Sequence, residues 1–242
     1  MLTTIVDSKT ITDMTDTIMT FVGKHPFLTF LLIVIVISVS HLLSWLPRTL
    51  KLSRWARRSG LKFSMWHDAG FKIRHGGFRC LLAGQNQFAY NVCCGRWNGW
   101  DVFAFDYKCT TQTLAGSQDK NFSAVLVKPE FRLKPLQIRA EAFSDRLADF
   151  MGKGDIDFES AEFSDKFYVA ALDRKWAYDV LNLRAIEYLL KSPADKFFIQ
   201  FSENEVLLTK LQEGIMKPYE FEAALNIATS LLFTIPEYAK HD

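Results

Sequence analysis

The chain is 242 residues long and 49% hydrophobic, and it carries 29 basic against 27 acidic side chains for a formal net charge of +2. That length admits one anchored domain of ordinary size or two small ones, and so even a balance excludes a nucleic-acid partner held by bulk positive charge. A mean hydropathy of +0.01 and 21 phenylalanines are oily for a water-soluble protein, with the excess near the N-terminus.

In chain order, residues 1–26 set Ile11, Met14, Ile18 and Phe21 at helical spacing among Thr and Asp. This predicts a short extracytoplasmic helix lying on a membrane face. Phe27–Leu46, FLTFLLIVIVISVSHLLSWL, contains no Asp, Glu, Lys or Arg. At about 1.5 Å per residue it matches a hydrocarbon core of roughly 30 Å, which predicts an uncleaved transmembrane helix over 27–46. A buried core helix is disfavoured because the run has no polar face. A signal peptide is disfavoured because the run is long and no A-x-A-like site follows. His41 inside the run is a functional hypothesis, against the plainer reading of an imidazole reaching the interface.

The linker 47–62 is basic. Arg48, Lys51, Arg54, Arg57, Arg58 and Lys62 come before any acidic residue, whereas Asp7, Asp13 and Asp16 outnumber Lys9 and Lys24 ahead of the run. The positive-inside rule then puts the N-terminus outside and the C-terminal domain in the cytoplasm, at a bacterial inner membrane. The six cations read as a surface for anionic lipid, at about 1 kcal/mol per charge.

Residues 63–242 predict one cytoplasmic α+β domain with an antiparallel sheet of hairpins and packed helices. Asn98-Gly99 is a two-residue hairpin turn. It would set Trp97 against Trp100, Arg96 against Asp101, Cys94 against Phe103, Val92 against Phe105, Asn91 against Asp106 and Tyr90 against Tyr107. Phe88, Tyr90, Val92, Cys94, Phe103, Phe105, Tyr107 and Cys109 then share a core face. Cys94 and Cys109 are expected as small buried hydrophobes, with Cys93 on the other side. Cys80 completes the thiols, and with no C-x-x-C a zinc site has little support. Trp97 and Trp100 at the hairpin tip suit a partner surface, or else packing under a neighbouring segment.

Strands are expected near Phe78–Leu82 and Phe122–Val127, and a mobile loop over the polar stretch Thr111–Asn121. Further on, the pattern predicts a helix over Ala140–Met151 and a strand at Phe167–Ala171. A helix follows over Arg174–Leu190, interrupted near Asn182. Strands Lys196–Phe201 and Glu205–Lys210 form a second hairpin. Pro218 opens a last helix with Phe221, Ala224, Leu225, Ala228, Leu231 and Leu232 in one apolar stripe.

The densest acidic stretch is DIDFESAEFSDKFYV, with Asp155, Asp157, Glu159, Glu162 and Asp165. Read as an EF-hand loop it fails, because Ser160 and Lys166 stand where Gly and a bidentate acid belong. A structural reading uses every residue: Ile156 and Phe158 point in, the acids point out, Ser160 caps a short helix, and Phe163 packs on Phe167. His67, His75 and Asp106 are the remaining acid–base candidates. Asp106 is better explained by a hydrogen bond to Asn91, and His75-Gly76-Gly77 by a turn. No phosphate loop, G-x-G-x-x-G or G-x-S-x-G occurs, and no cofactor is implied.

Residues 74–109, RHGGFRCLLAGQNQFAYNVCCGRWNGWDVFAFDYKC, include a G-x-x-V-x-x-F-D-Y strand. With FSAVLVKPEFRLKPLQIR and DIDFESAEFSDKFYVAALDRKWAYDVL they resemble a family of bacterial single-pass membrane proteins with a cytoplasmic domain of unknown function. The resemblance implies a membrane-anchored globular domain and names no catalytic residue. The sequence thus reads as a non-enzymatic binding or scaffold module whose partners are the lipid bilayer and a protein or membrane complex. The alternatives are a membrane-tethered enzyme, such as a metal-dependent hydrolase using Asp155, Asp157, Glu159 or His67 and His75, and a structural subunit of a larger membrane complex.

Overall fold

A computed structural model describes residues 19–20, 22–113, 116–142, 156–211 and 214–240, with side chains omitted at 41–45. Ile11, Met14, Ile18 and Phe21 of the helix expected within 1–26, the His41 side chain, positions 143–151 of the Ala140–Met151 helix, and Asp155 lie outside the described residues. The chain divides into two units, Met1–Leu50 and Lys51–Asp242.

Helix α1, Pro26–Arg58, starts in the first unit. Its Phe27, Leu28, Phe30, Leu32 and Val36 are exposed. The hydroxyls of Thr29, Ser38 and Ser40 donate to helix carbonyls of His25, Val34 and Ile37 at 3.0, 2.7 and 2.9 Å, so none lacks a partner. The transmembrane helix expected over Phe27–Leu46 is corrected here: among the described residues, no helix is long and apolar enough to cross a membrane. The single-pass character, and the orientation read from the flanking charges, rested on that span.

In the second unit the end of α1 is an amphipathic domain helix. Leu52, Trp55 and Ala56 are buried, and the Trp55 ring stacks on Phe221 at 5.6 Å. The remaining elements are β1 Lys62–Ser64, α2 Phe71–Arg74, α3 Arg79–Leu82, β2 Gln85–Trp97, β3 Trp100–Thr113, β4 Gly116–Lys128, β5 Leu136–Ala140 and α4 Ala161–Lys166. They continue with β6 Phe167–Ala171, α5 Arg174–Val180, α6 Leu183–Lys191, β7 Phe197–Phe201, β8 Val206–Lys210 and α7 Pro218–Thr234. The strands form one eight-stranded sheet in the order β1-β2-β3-β4-β8-β7-β5-β6, antiparallel at every pairing.

Both faces of the sheet are covered. On one, Val102, Ala104, Val125, Ile199 and Leu208 meet Trp176 of α5, Leu189 of α6 and the stripe of α7. On the other, Phe105, Tyr107, Cys109, Leu126 and Leu207 lie under Phe71, Phe78 and Leu81, and the Tyr107 hydroxyl donates to the Leu81 carbonyl at 2.6 Å. The apolar stretch at Phe78–Leu82 is therefore a helical cover over the sheet rather than a strand in it.

Asn98 and Gly99 form the expected turn, with φ of 49° and 88°. The register follows as far as Cys94↔Phe103 and Cys93↔Ala104, then shifts at a bulge between Tyr90 and Cys93. Asn91 holds φ at 50°, and the extra residue turns the preceding strand over. Tyr90 thus opposes Asp106, and Ala89 opposes Tyr107. Ala89 takes the core position, while Phe88 and Tyr90 are half-buried. Cys94 is only half-buried, whereas Cys93 and Cys109 are buried.

The expected loop 111–121 is instead the outer part of the β3–β4 hairpin, paired from Asp101↔Lys128 to Thr113↔Gly116. Thr110 and Lys108 hold Asp119 across it, at 2.9 and 2.7 Å. Ala140, expected to start a helix, ends β5. The rest of the second half follows the pattern closely. Asp173 and Asn182 cap α5 and α6, accepting from the Trp176 and Ala185 amides.

Candidate functional site

The cationic residues of the former linker stand on and just after α1. Lys51, Arg54, Arg57 and Arg58 are exposed, opposite the buried Leu52, Trp55 and Ala56, and Lys62 on β1 is exposed as well. That spacing of three and four residues gathers the charges into one stripe. Among the described residues, none of these five meets a carboxylate within ion-pair distance. Arg48 is half-buried and belongs to the first unit.

Trp97 and Trp100 face inward at the hairpin tip and are half-buried. Trp97 Nε1 donates to Asn226 Oδ1 at 2.9 Å, and Asn98 Nδ2 donates to Thr229 Oγ1 at 3.2 Å, both on α7. The Trp100 ring meets Phe131 and Phe233 edge-on at 5.9 and 5.6 Å. These indoles join the hairpin to the last helix.

The acidic stretch is spread out along the surface. Asp157, Glu159, Glu162 and Asp165 are exposed, and among the described residues no three His, Cys, Asp or Glu side chains group closely enough to hold a metal ion. Ser160 accepts from the Phe163 amide, Ile156 is buried, and Phe163 stacks on Phe167 at 5.0 Å.

The two histidines lie in separate environments. His67 is exposed and rests on Phe88, ring centroids 4.4 Å apart. His75 is buried between Phe71 and Phe103, at 4.5 and 4.9 Å. Its Nδ1 meets Glu205 Oε1 at 2.6 Å, with residue exposures of 7% and 6%. Sequence reasoning missed this pair because the two residues are 130 positions apart.

Glu205 of this pair lines an open groove of about 800 Å³. Its rim comes from the 74–77 turn, the start of β3, the β4–β5 connection and the β7–β8 turn. Two glycines allow the close approach. A Cβ on Gly76 would stand 2.8 Å from the Lys72 carbonyl oxygen, and one on Gly77 would stand 3.0 Å from Ser202 Cβ. Some of the charged rim is already engaged: Arg74 pairs with Asp68, and Arg96 reaches Asp101 at 3.3 Å and Glu130 at 3.8 Å.

A second polar group lies wholly inside. Asp106 is fully buried and accepts from Asn91 Nδ2 at 3.0 Å and Ser123 Oγ at 2.6 Å, while Ser123 Oγ accepts from the Met216 amide at 2.8 Å. This chain ties β2, β3 and β4 to the segment that leads into α7. The hydrogen bond expected between Asn91 and Asp106 is present, delivered by the bulge instead of a regular pair.

Burial pushes the Cys80 thiol up to about 12 and also raises Cys109 and the Tyr107 hydroxyl.

No family model and no curated protein matches the chain. Among solved structures, the fold is similar to the crystal structure of the mycobacterial trehalose monomycolate transport factor A, TtfA. That match has a TM-score of 0.54 at 16% identity and covers 78% of this chain and 96% of that one. At that identity the likeness is one of fold.

Proposed function

We propose that this chain is a non-enzymatic binding or scaffold module, held at an anionic lipid surface, that serves the movement of lipids. The observation that carries the reading is the exposed stripe of Lys51, Arg54, Arg57 and Arg58 with Lys62 nearby. Cations near an anionic surface contribute about 1 kcal/mol each. The exposed apolar side chains of Phe27–Val39, which precede the stripe in sequence, supply area that lipid would cover. The neighbouring fold is named as a trehalose monomycolate transport factor, which supports a lipid-linked role.

Co-sedimentation of the full chain with vesicles tests the proposal. Binding to phosphatidylserine-containing vesicles that weakens as salt rises supports it, and indifference to both lipid charge and salt refutes it.

A protein partner is the second reading. Trp66 and Ile73 in the second unit are 77% and 81% exposed and would be the apolar anchors of such a contact. Substitution of both by Ser leaves vesicle binding unchanged under the first reading and abolishes partner capture under the second.

A further inference from the structure

The geometry points to the groove beside His75 and Glu205 as a binding site for a neutral, polyhydroxylated ligand of saccharide type. Its volume of about 800 Å³ is that of a small-molecule site. Its lining is polar and mixed in sign, with cations from Arg74, Lys128 and Arg132 and carboxylates from Asp101, Glu130, Glu203 and Glu205.

That mixture selects the ligand. A phosphate or carboxylate would gain from the cations but face the unpaired Glu203 and the rim carboxylates Asp101 and Glu130, which Arg96 only partly neutralises at 3.3 and 3.8 Å, and a polyamine would meet the opposite conflict. A neutral polyol uses both sets. Its hydroxyls donate to the carboxylates and accept from guanidinium and ammonium groups, with no net charge to desolvate. The groups left for it are specific. Lys128, Arg132 and Glu203 line the groove, are exposed, and have no ion-pair partner among the described residues. Asn204 adds an amide, and Phe131 an apolar ring against which a sugar's C–H face can lie.

The groove's rim is preorganised. The buried His75–Glu205 contact joins the 74–77 turn to the β7–β8 turn. Gly77 brings that turn onto Ser202 of the β7–β8 turn without a side chain between them, and Gly76 lets it fold back against the Lys72 carbonyl. A preformed rim lowers the ordering cost of binding.

This inference does not depend on the lipid-surface reading, because the cationic stripe contributes no residue to the groove. The test is titration calorimetry and chemical-shift mapping on the full chain in mild detergent. The probes are maltose and trehalose, with inorganic phosphate and spermidine as charged comparisons. The expected result is disaccharide binding with shifts centred on 128–132 and 202–205, weakened about tenfold by Arg132→Ala and by Glu203→Gln. Both substitutions are at exposed positions and are checked for unchanged melting. The inference is overturned if neither disaccharide binds, if the shifts map elsewhere, if both variants bind as wild type, or if a charged probe binds in preference. Vesicle binding by these variants should be unaltered, so a failure here is distinct from a failure of the lipid-surface proposal.

Discussion

Asp106 shows what one side chain costs and returns in this fold. A buried carboxylate is tolerable only when its acceptor capacity is used, and Asn91 and Ser123 use it. Asp106→Ala would leave the Asn91 amide and the Ser123 hydroxyl without that acceptor inside the protein. We expect a loss of about 2–4 kcal/mol, read as a lower denaturation midpoint with unchanged slope. Asn91 was visible in the sequence as the partner of Asp106, but Ser123 and the Met216 amide were not, because they come from a strand and a loop 93 positions apart. Glu220 gives a pH-dependent prediction. Burial acts to raise its carboxyl, but Lys210 at 2.7 Å and the Lys217 amide outweigh it and hold it below the ordinary 4.5. A carboxylate lowered on folding stabilises above its unfolded pKa, and that contribution disappears as pH falls through the folded value. Stability should therefore fall on acidification below about 4.5, and Glu220→Gln should flatten that limb in acid-unfolding curves while lowering stability at neutral pH.

Among the elements, the β2–β3 hairpin is the clearest case of what local chemistry specifies. Asn98-Gly99 demands two positive φ angles and receives them, so the register near the turn was legible. The bulge at Asn91 was not, because a strand of alternating side chains gives no sign that one residue will be inserted. Polar composition likewise hid the outer β3–β4 arm, whose stability comes from ladder bonds rather than an apolar face. The short helices α2 and α3 had the opposite problem, since Phe78–Leu82 is apolar enough for a strand and only its tertiary position decides. Two variants test the hairpin's attachment to α7. Gly99→Ala meets no neighbour within 4 Å but must hold φ at 88°, which costs about 1 kcal/mol. Trp97→Phe keeps much of the apolar contact and removes the bond to Asn226, a loss of about 1 kcal/mol. Thermal melts of each should show the decrease without loss of sheet content by circular dichroism.

In Lys51–Asp242, the sheet with helices on both faces accounts for most of the apolar pattern without any appeal to function. What the core does not use is the functional candidate: the cationic stripe at the end of α1, the exposed side chains of Phe27–Val39, and the mixed-charge groove. The stripe was legible in the sequence as a run of cations ahead of Asp68, because charges need no tertiary context to be counted. Its placement on one face of a domain helix was not, because that depends on Leu52, Trp55 and Ala56 being drawn into the core. The groove was illegible for the same reason, being built from turns far apart in the chain. The central claim is that the stripe holds the protein to anionic lipid, and the most direct measurement is vesicle flotation of the full chain beside Arg54→Glu/Arg57→Glu/Arg58→Glu. We predict that the wild-type chain floats with phosphatidylserine-containing vesicles at low salt, while the variant, equally folded, stays largely at the bottom. Equal flotation of the two chains, or equal flotation of the wild type with neutral and anionic vesicles, would contradict the account.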